Sequence, residues 1–494
     1  MKHIALLVSL AWYGSWSCSP AQDLPPLPDV RGHRGALILD AMSAPSRATC
    51  RAALALARGA RSRVLPLGPT TTNWRTVGGA LDASSSDPLP QRIDTADLVW
   101  IERPLPDELL SSEVKTALLR LLDRGGVLGA SAQALPSLGS RPGDAPTLAL
   151  FPNATFLAPM EEGSTDVRSI LQKRPGTFAV ALKPETRCLL RGRRLQVRSE
   201  GEAAVFQLDS AGITAMRVRR ASQVDWVQQA RIARTRTLPP HPAKEVPTPD
   251  TGKGTVIAVG GGRLPRLIVE RFIAAAGGAD APIVVIPTAQ GGDPLAGRNG
   301  MIGVFRQLGV KDAVVIHART PEEATRKPFL DALRRAKGIW FGGGRQWRLV
   351  DAYAGTAAHA LMRRCLEKGG VIGGSSAGAT ISGDFLVRGS PLRNTIMMAE
   401  GYERGLGFLQ GVAIDQHFTQ RRRFDDMRRV HARYPQLLGF GIDEGTAIVV
   451  KGTSLEVLGD GRVAVYDGSR SKARDHRLLR AGDRYDLARK QPRK

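Results

Sequence analysis

Two stretches of the chain carry the same succession of apolar and polar runs. One starts at Arg34 and reads RGALILDAMSAPSRATCRAALALARGARSRVLPL. The other starts at Lys253 and reads KGTVIAVGGGRLPRLIVERFIAAAGGADAPIVVIPT. A short continuous apolar run bounded by turn residues is the mark of a strand buried on both faces. Each stretch therefore predicts buried strand, loop, helix, strand. Two more blocks repeat in the same order. LLDRGGVLGASAQA from Leu121 parallels CLEKGGVIGGSSAGA from Cys365, and TRCLLRGRRLQVRSEGEAAVFQL from Thr186 parallels TAIVVKGTSLEVLGDGRVAVYDG from Thr446. Three matched blocks predict a duplicated α/β unit. Each copy has a mostly parallel sheet covered by helices on both faces and closes with an antiparallel strand pair.

The boundaries follow from composition. Arg236 to Lys253 (RTLPPHPAKEVPTPDTGK) is proline-rich and without period, as a linker is. The expected organisation is a first domain at 34–215, a linker at 216–252, a second domain at 253–467 and a basic tail at 468–494. The tail reads as irregular or briefly helical. At the N-terminus a short basic start, an apolar run from Ile4 to Trp16 and small residues at Ser19-Pro20-Ala21 predict a secretory signal peptide over 1–21, with a linker at 22–33. Cys18 offers lipid attachment as an alternative, but Trp16 stands where that signal wants a small residue.

Charge changes the picture little. The formal net charge is +24, from 70 basic and 46 acidic residues. Such a balance can mark a polyanion-binding surface. Here the arginines are dispersed, aromatic residues are 5% of the chain, and no nucleic-acid motif accompanies them. A solvated basic surface is the expectation, without nucleic acid as a partner. Removal of 1–21 leaves Cys50, Cys188 and Cys365, which form neither a disulfide framework nor a metal-ligand spacing. Neither a metal nor an organic cofactor is expected.

Chemistry concentrates in the second copy. Gly374-Ser375-Ser376-Ala377-Gly378 fits G-x-S-x-G, a strand-to-helix turn that holds a serine up as nucleophile. Ser376, not Ser375, is in register. The N–H of Ala377 is the natural first donor to an oxyanion. Upstream, Ile339 to Phe341 ends in Gly342-Gly343-Gly344, whose bare backbone at Gly343 or Gly344 can supply a second donor. Gln346 follows. Downstream, Asp415, Gln416 and His417 close another apolar strand, and Asp443 and Glu444 sit at a third strand end. Strand ends are where open α/β sheets place their sites. A histidine there can act as base, and a carboxylate can hold its tautomer. In the first copy Ser376 falls on Ala132 and Gly378 on Ala134, and the DQHF segment has no counterpart. That copy is read as degenerate.

The blocks FGGGRQ, GGSSAGA, DQHFTQRRR and GIDEGTAI, in this order, resemble the motifs of cyanophycinases and related S51 peptidases. The resemblance covers about Gly254 to Asp467. It implies a class I glutamine-amidotransferase-like α/β/α sandwich, hence two tandem three-layer domains with the first degenerate. It implies Ser376 as nucleophile, His417 as base and Glu444 as the acidic member. Ala377, Gly343 and Gly344 would form the oxyanion site, and Gln346, Asp415, Gln416, Arg421 and Arg423 would bind substrate. The family's R-x-R-x-x-R set is matched by Arg421 and Arg423 but broken by Asp426, which puts the β-Asp-Arg polymer in doubt and leaves another acidic or isoaspartyl peptide equally open. The implied partner is such a peptide; homo-oligomerisation is left open. Two rival readings stand beside this one. One is an α/β-hydrolase-type esterase using Ser376, Glu444 and His476. The other is a non-catalytic binding protein on the same fold. VGGGRLP (Val259 to Pro265) lacks the dinucleotide-binding spacing and is read as a plain turn.

Overall fold

A computed structural model describes residues 33–69, 72–82, 86–139, 147–157, 167–292, 300–468 and 475–493. The predicted signal peptide, Cys18 and the following linker up to residue 32 lie outside the described residues. Strands are numbered in chain order. The first half contains β1 His33–Asp40, β2 Arg63–Leu67, β3 Ala80–Leu81, β4 Leu98–Ile101, β5 Val127–Ala130, β6 Ala154–Leu157, β7 Phe178–Leu182, β8 Arg187–Gly192, β9 Arg194–Val197, β10 Ala203–Asp209, β11 Gly212–Val218 and β12 Val224–Asp225. The second half contains β13 Thr255–Val259, β14 Ile283–Ile286, β15 Ala313–Val315, β16 Gly338–Phe341, β17 Val371–Ser375, β18 Gly383–Phe385, β19 Leu409–Gln416, β20 Leu438–Ile442, β21 Thr446–Lys451, β22 Ser454–Gly459, β23 Arg462–Tyr466, β24 Arg477–Arg480, β25 Arg484–Asp486 and β26 Gln491–Arg493.

The two halves share one topology. Among the described residues the larger sheet of the first half runs β3-β2-β4-β5-β1-β8-β9-β12, and that of the second runs β15-β14-β16-β17-β13-β21-β22-β25-β26. The first seven positions correspond one to one. The smaller sheets, β6-β7-β10-β11 and β18-β19-β20-β23-β24, correspond through their last four strands. Register agrees as well. Ala36 pairs with Val127 as Thr255 pairs with Val371, and Leu37 with Leu190 as Val256 with Val450. The tandem α/β/α duplication predicted from the repeated blocks is thus present strand by strand.

Burial explains the apolar runs. All five residues of β13 are buried. Val256 and Ala258 face a cluster with Leu349 and Met362, whereas Ile257 and Val259 face one with Ile268 and Phe272. A strand sandwiched between helix layers has no wet side, so it shows no alternation. Phe272 packs edge-on against Trp340 with ring centroids 5.1 Å apart. Side chains of this kind stabilise by roughly 1.5–3 kcal/mol each on burial.

Two boundaries differ from the sequence reading. The stretch expected as linker from 216 finishes β11, adds β12 to the sheet edge and forms the helix Trp226–Thr235. Trp226 packs among Phe151, Phe156 and Phe178 of the first core. Val227, Ala230, Ile232 and Ala233 are buried with it, so the connecting stretch begins after Thr235. It then lies along the second half, where Ala243 O accepts from Gln436 Nε2 at 2.8 Å and Pro239 O from Arg404 Nη2 at 3.1 Å. The described part of the tail, 475–493, holds strands in place of the expected irregular or short helical end. β24 extends the smaller sheet and β25-β26 the larger. Leu479, Tyr485 and Leu487 are buried, and Tyr485 donates its hydroxyl to Asp467 at 2.5 Å. The abundant charges mask these few buried positions.

Candidate active site

The site forms where β13, β16, β17, β19 and β20 end together. At the end of β17 the chain must turn sharply into the helix Ala377–Thr380, and Ser376 takes φ 57°, ψ −114° to do so. A non-glycine residue in this region is strained and needs a surrounding structure that enforces it. The neighbours are glycines for a packing reason. A Cβ on Gly374 would stand 2.4 Å from Gly378 O, and one on Gly378 would stand 2.2 Å from Phe341 O. The turn lifts the hydroxyl of Ser376 towards His417, with Oγ 3.0 Å from Nε2.

His417 follows β19 and also has positive φ, 50°. Its N–H donates to Gly260 O at 2.7 Å, which fixes the backbone as it leaves the sheet. On the far side of the ring Nδ1 lies 2.5 Å from Glu444 Oε1, in the turn after β20. With Nδ1–H given to Glu444, Nε2 is left as the acceptor facing Ser376. Burial lowers the His417 pKa from its usual value; the bond to Glu444 opposes this, and the charge of Arg421 adds to the lowering. The imidazole is therefore kept neutral and able to accept a proton.

The neighbouring Asp443 is turned away. Its carboxylate accepts from the N–H groups of Thr419 (2.9 Å) and Arg462 (3.1 Å), so it holds loops together. Gly343 lies beside the serine: a Cβ there would be 3.4 Å from Ser376 Cβ and 3.9 Å from Oγ. The N–H groups of Gly343 and Ala377 donate to no backbone carbonyl among the described residues. Gly344 packs instead against Ala289, whose oxygen would lie 2.2 Å from an added Cβ.

The residues expected to bind substrate divide. Arg421 is exposed, and its N–H donates to His417 O at 3.0 Å. Gln416 is buried, with no hydrogen-bond partner for Oε1 among the described residues. The other three are built into the frame. Gln346 is buried and donates to Val387 O at 2.9 Å. Asp415 is fully buried and takes Arg388 at 2.9 and 3.0 Å and Arg423 Nη1 at 3.0 Å. Arg423 also donates to Gln416 O at 2.6 Å. The expectation that Arg423 reaches a substrate carboxylate is corrected: its guanidinium is committed to Asp415, because an unpaired buried Asp415 would be costly. Arg388, which the sequence reading overlooked, also binds Asp426 at 2.7 Å. Asp426 thus serves a buried cation from another loop.

His476, the base of the rival esterase order, bonds Asp475 at 2.9 Å and stacks near Phe424 and Tyr466. It is His417 that stands between Ser376 and Glu444. The glycine turn after β13, read as a plain turn, proves to line the site. A Cβ on Gly261 would fall 2.3 Å from His417 Cε1, and one on Gly262 would fall 2.6 Å from Glu444 Oε2. In the first copy, strand pairing puts Met42 at the place of Gly261 and Ala132 at that of Ser376. The matching turn puts Pro184 at the place of Glu444. The stretch after β6, where a counterpart of DQHF would fall, lies outside the described residues from 158 to 166.

Comparison with known proteins agrees in location. The model of peptidase family S51 matches residues 255–458. The cyanophycinase of Geminocystis herdmanii is 32% identical over 241 residues, 47% of this chain and 87% of that protein. The cyanophycinase of Trichormus variabilis is 31% identical over 248 residues, 48% of this chain and 82% of that protein. Among solved structures, a peptidase from an acI-B1 Actinobacterium is 23% identical and covers 48% of this chain and 98% of that one, with a TM-score of 0.38. The strand-end serine turn and the relatives meet in the same half of the molecule: the chain belongs to peptidase family S51 and is a serine peptidase.

Proposed function

We propose that the second half hydrolyses an amide bond in an acidic or isoaspartyl peptide through a Ser376-His417-Glu444 triad. The observation that carries the reading is the continuous chain from Ser376 Oγ to His417 Nε2 at 3.0 Å and from His417 Nδ1 to Glu444 at 2.5 Å, ending on a strained serine. Ser376 Oγ attacks the carbonyl carbon while His417 takes its proton. Glu444 holds the ring and stabilises the imidazolium that forms. The N–H groups of Gly343 and Ala377 receive the oxyanion, where one donor is typically worth ~3 kcal/mol. His417 then gives the proton to the leaving nitrogen, and water resolves the acyl-enzyme by the same steps reversed.

Substrate class rests on Arg421 and Gln416. Arg421 is the exposed guanidinium close enough to His417 to depress it, and a guanidinium fork suits a carboxylate. Gln416 Oε1 offers an acceptor to a substrate N–H. We also propose that the protein is exported, on the strength of the apolar run from Ile4 to Trp16.

A serine-directed fluorophosphonate tests the mechanism. It should label Ser376 and no other serine. Ser376→Ala should abolish labelling with melting temperature unchanged, and Ser375→Ala should keep it. Labelling at Ser375, or none, would sink the triad.

A further inference from the structure

The first copy reaches the second half through several side chains, among them Arg231 and Arg236, and the most deeply engaged is Arg193. Arg193 sits in the turn between β8 and β9, with its side chain 9% exposed. Nε and Nη2 grip Asp225 of its own half at 3.0 and 2.8 Å. Its other contacts cross to the second half. Nη1 donates to Asp351 Oδ2 at 2.5 Å, Nη2 donates to Tyr402 OH at 2.7 Å, and the guanidinium lies 4.6 Å over the ring of Trp347. Arg231, on the helix Trp226–Thr235, adds a second bond to Asp351 at 2.9 Å, and Tyr402 donates to the same carboxylate at 2.9 Å. Two arginines thus face two aspartates in a largely buried cluster whose formal charges balance.

Trp347 and Asp351 belong to the helix Trp347–Tyr353, which begins three residues after the glycine run that ends at Gly344. The connection is stiff. Arg345 N donates to Ala289 O at 2.8 Å, Arg345 Nη2 to Ser390 O at 2.6 Å, and Gln346 to Val387 O. Val387, Ser390 and Tyr402 lie on one segment after β18, so Arg193 ties this segment to the helix. A rotation of the helix would carry Gly343 away from Ser376. Buried ion pairs with full hydrogen bonding are weak contributors to stability yet can fix one geometry among several. Thr453 occupies the matching turn of the second copy, so the clamp exists in one direction only.

We infer that Arg193, supplied by the copy without a site, is a positioning residue that sets the Gly342–Gly344 turn as an oxyanion site in the other copy. The inference rests on the reading of Ser376 as nucleophile and Gly343 as oxyanion donor.

The probe is a fluorophosphonate reacting with the full chain. Ser376 Oγ forms a bond to phosphorus, the P–F bond breaks, His417 accepts the serine proton and fluoride leaves; the phosphoryl oxygen bears the growing negative charge. Absence of labelling in the unaltered protein would refute the triad itself, and is thereby distinguished from failure of this inference. Given labelling, Arg193→Met should lower the maximal rate of inactivation by ~10–100-fold, the scale of a misplaced donor. The concentration for half-maximal rate should change less than threefold. The acid limb of the pH profile, set by His417, should not move, whereas general loosening of the site would shift it. Arg193→Lys, which keeps the charge but loses the fork, should show the same split at smaller size. A folded Arg193→Met protein with a rate within twofold of the parent overturns the inference, as does a loss confined to probe binding. Should Arg193→Met not fold, the lysine variant decides by the same split. If neither folds, the clamp is a structural strut and the positioning role is refuted.

Discussion

At the scale of single residues, the site is a set of strained or crowded positions that support one another. Ser376 and His417 both hold positive φ, and each is pinned by a backbone bond from a neighbouring strand end. The electrostatics can be tested at Arg421. Its positive charge disfavours imidazolium on His417, in the same direction as burial and against Glu444. Removing that charge raises the His417 pKa. In Arg421→Ala the acid limb of labelling or turnover should therefore move to higher pH, while the neutral-pH rate with an uncharged probe stays within a few fold. A limb that stays put, or moves down, would show that Arg421 does not act on His417. The sequence told Ser376 from Ser375 because the turn's glycine spacing is local. It could not tell what Arg423 does, because its partner Asp415 is fully buried only once β19 lies against β20, and Arg388 arrives from a different loop.

At the scale of elements, the strand ends carry the chemistry, and the turns decide what fits between them. The three glycines after β13 have no motif of their own. Their role appears when β13 lies between β17 and β21, which brings residues far apart in the chain to the same sheet edge. Gly261 has φ +100° and faces the His417 ring. Gly261→Ala should displace the ring; a shift of the order of 1 Å commonly costs ~100-fold in rate. Labelling of Ser376 should fall by about that factor, with far-UV circular dichroism unchanged. Full activity in Gly261→Ala would mean the loop moves aside freely. Strand and turn signals were legible wherever apolar runs were continuous. They failed at β24–β26, where a few buried side chains sit among many charged ones, and at Trp226–Thr235, where glutamines and arginines interrupt the buried apolar positions.

At the scale of the whole molecule, a duplicated fold keeps one strand order in both copies, and the Ser376-His417-Glu444 constellation stands in the second. Repetition of three sequence blocks was sufficient to recognise the frame, since strand order and register follow buried runs. The contact between copies was not legible, because Arg193, Asp225, Asp351 and Tyr402 are scattered in sequence and none carries a local signature. Export also belongs to this scale. The apolar run from Ile4 to Trp16 and the small residues up to Ala21 predict a mature chain beginning at Gln22. Intact-mass measurement on protein recovered from the native host tests this; a chain retaining Met1 in the cell interior would refute it.

The shared strand order also has a consequence for how the protein behaves as its concentration falls. Two subunits that support one another across an interface part company on dilution, and activity then depends on how much protein is present. Here both partners are on a single polypeptide, so the supporting copy is always at hand. Nor must a change on one side be matched on the other, as it would in a symmetric pair. If the first copy serves only as support, positions such as Ala132 and Met42 are free to vary, provided that the side chains it lends across the boundary remain.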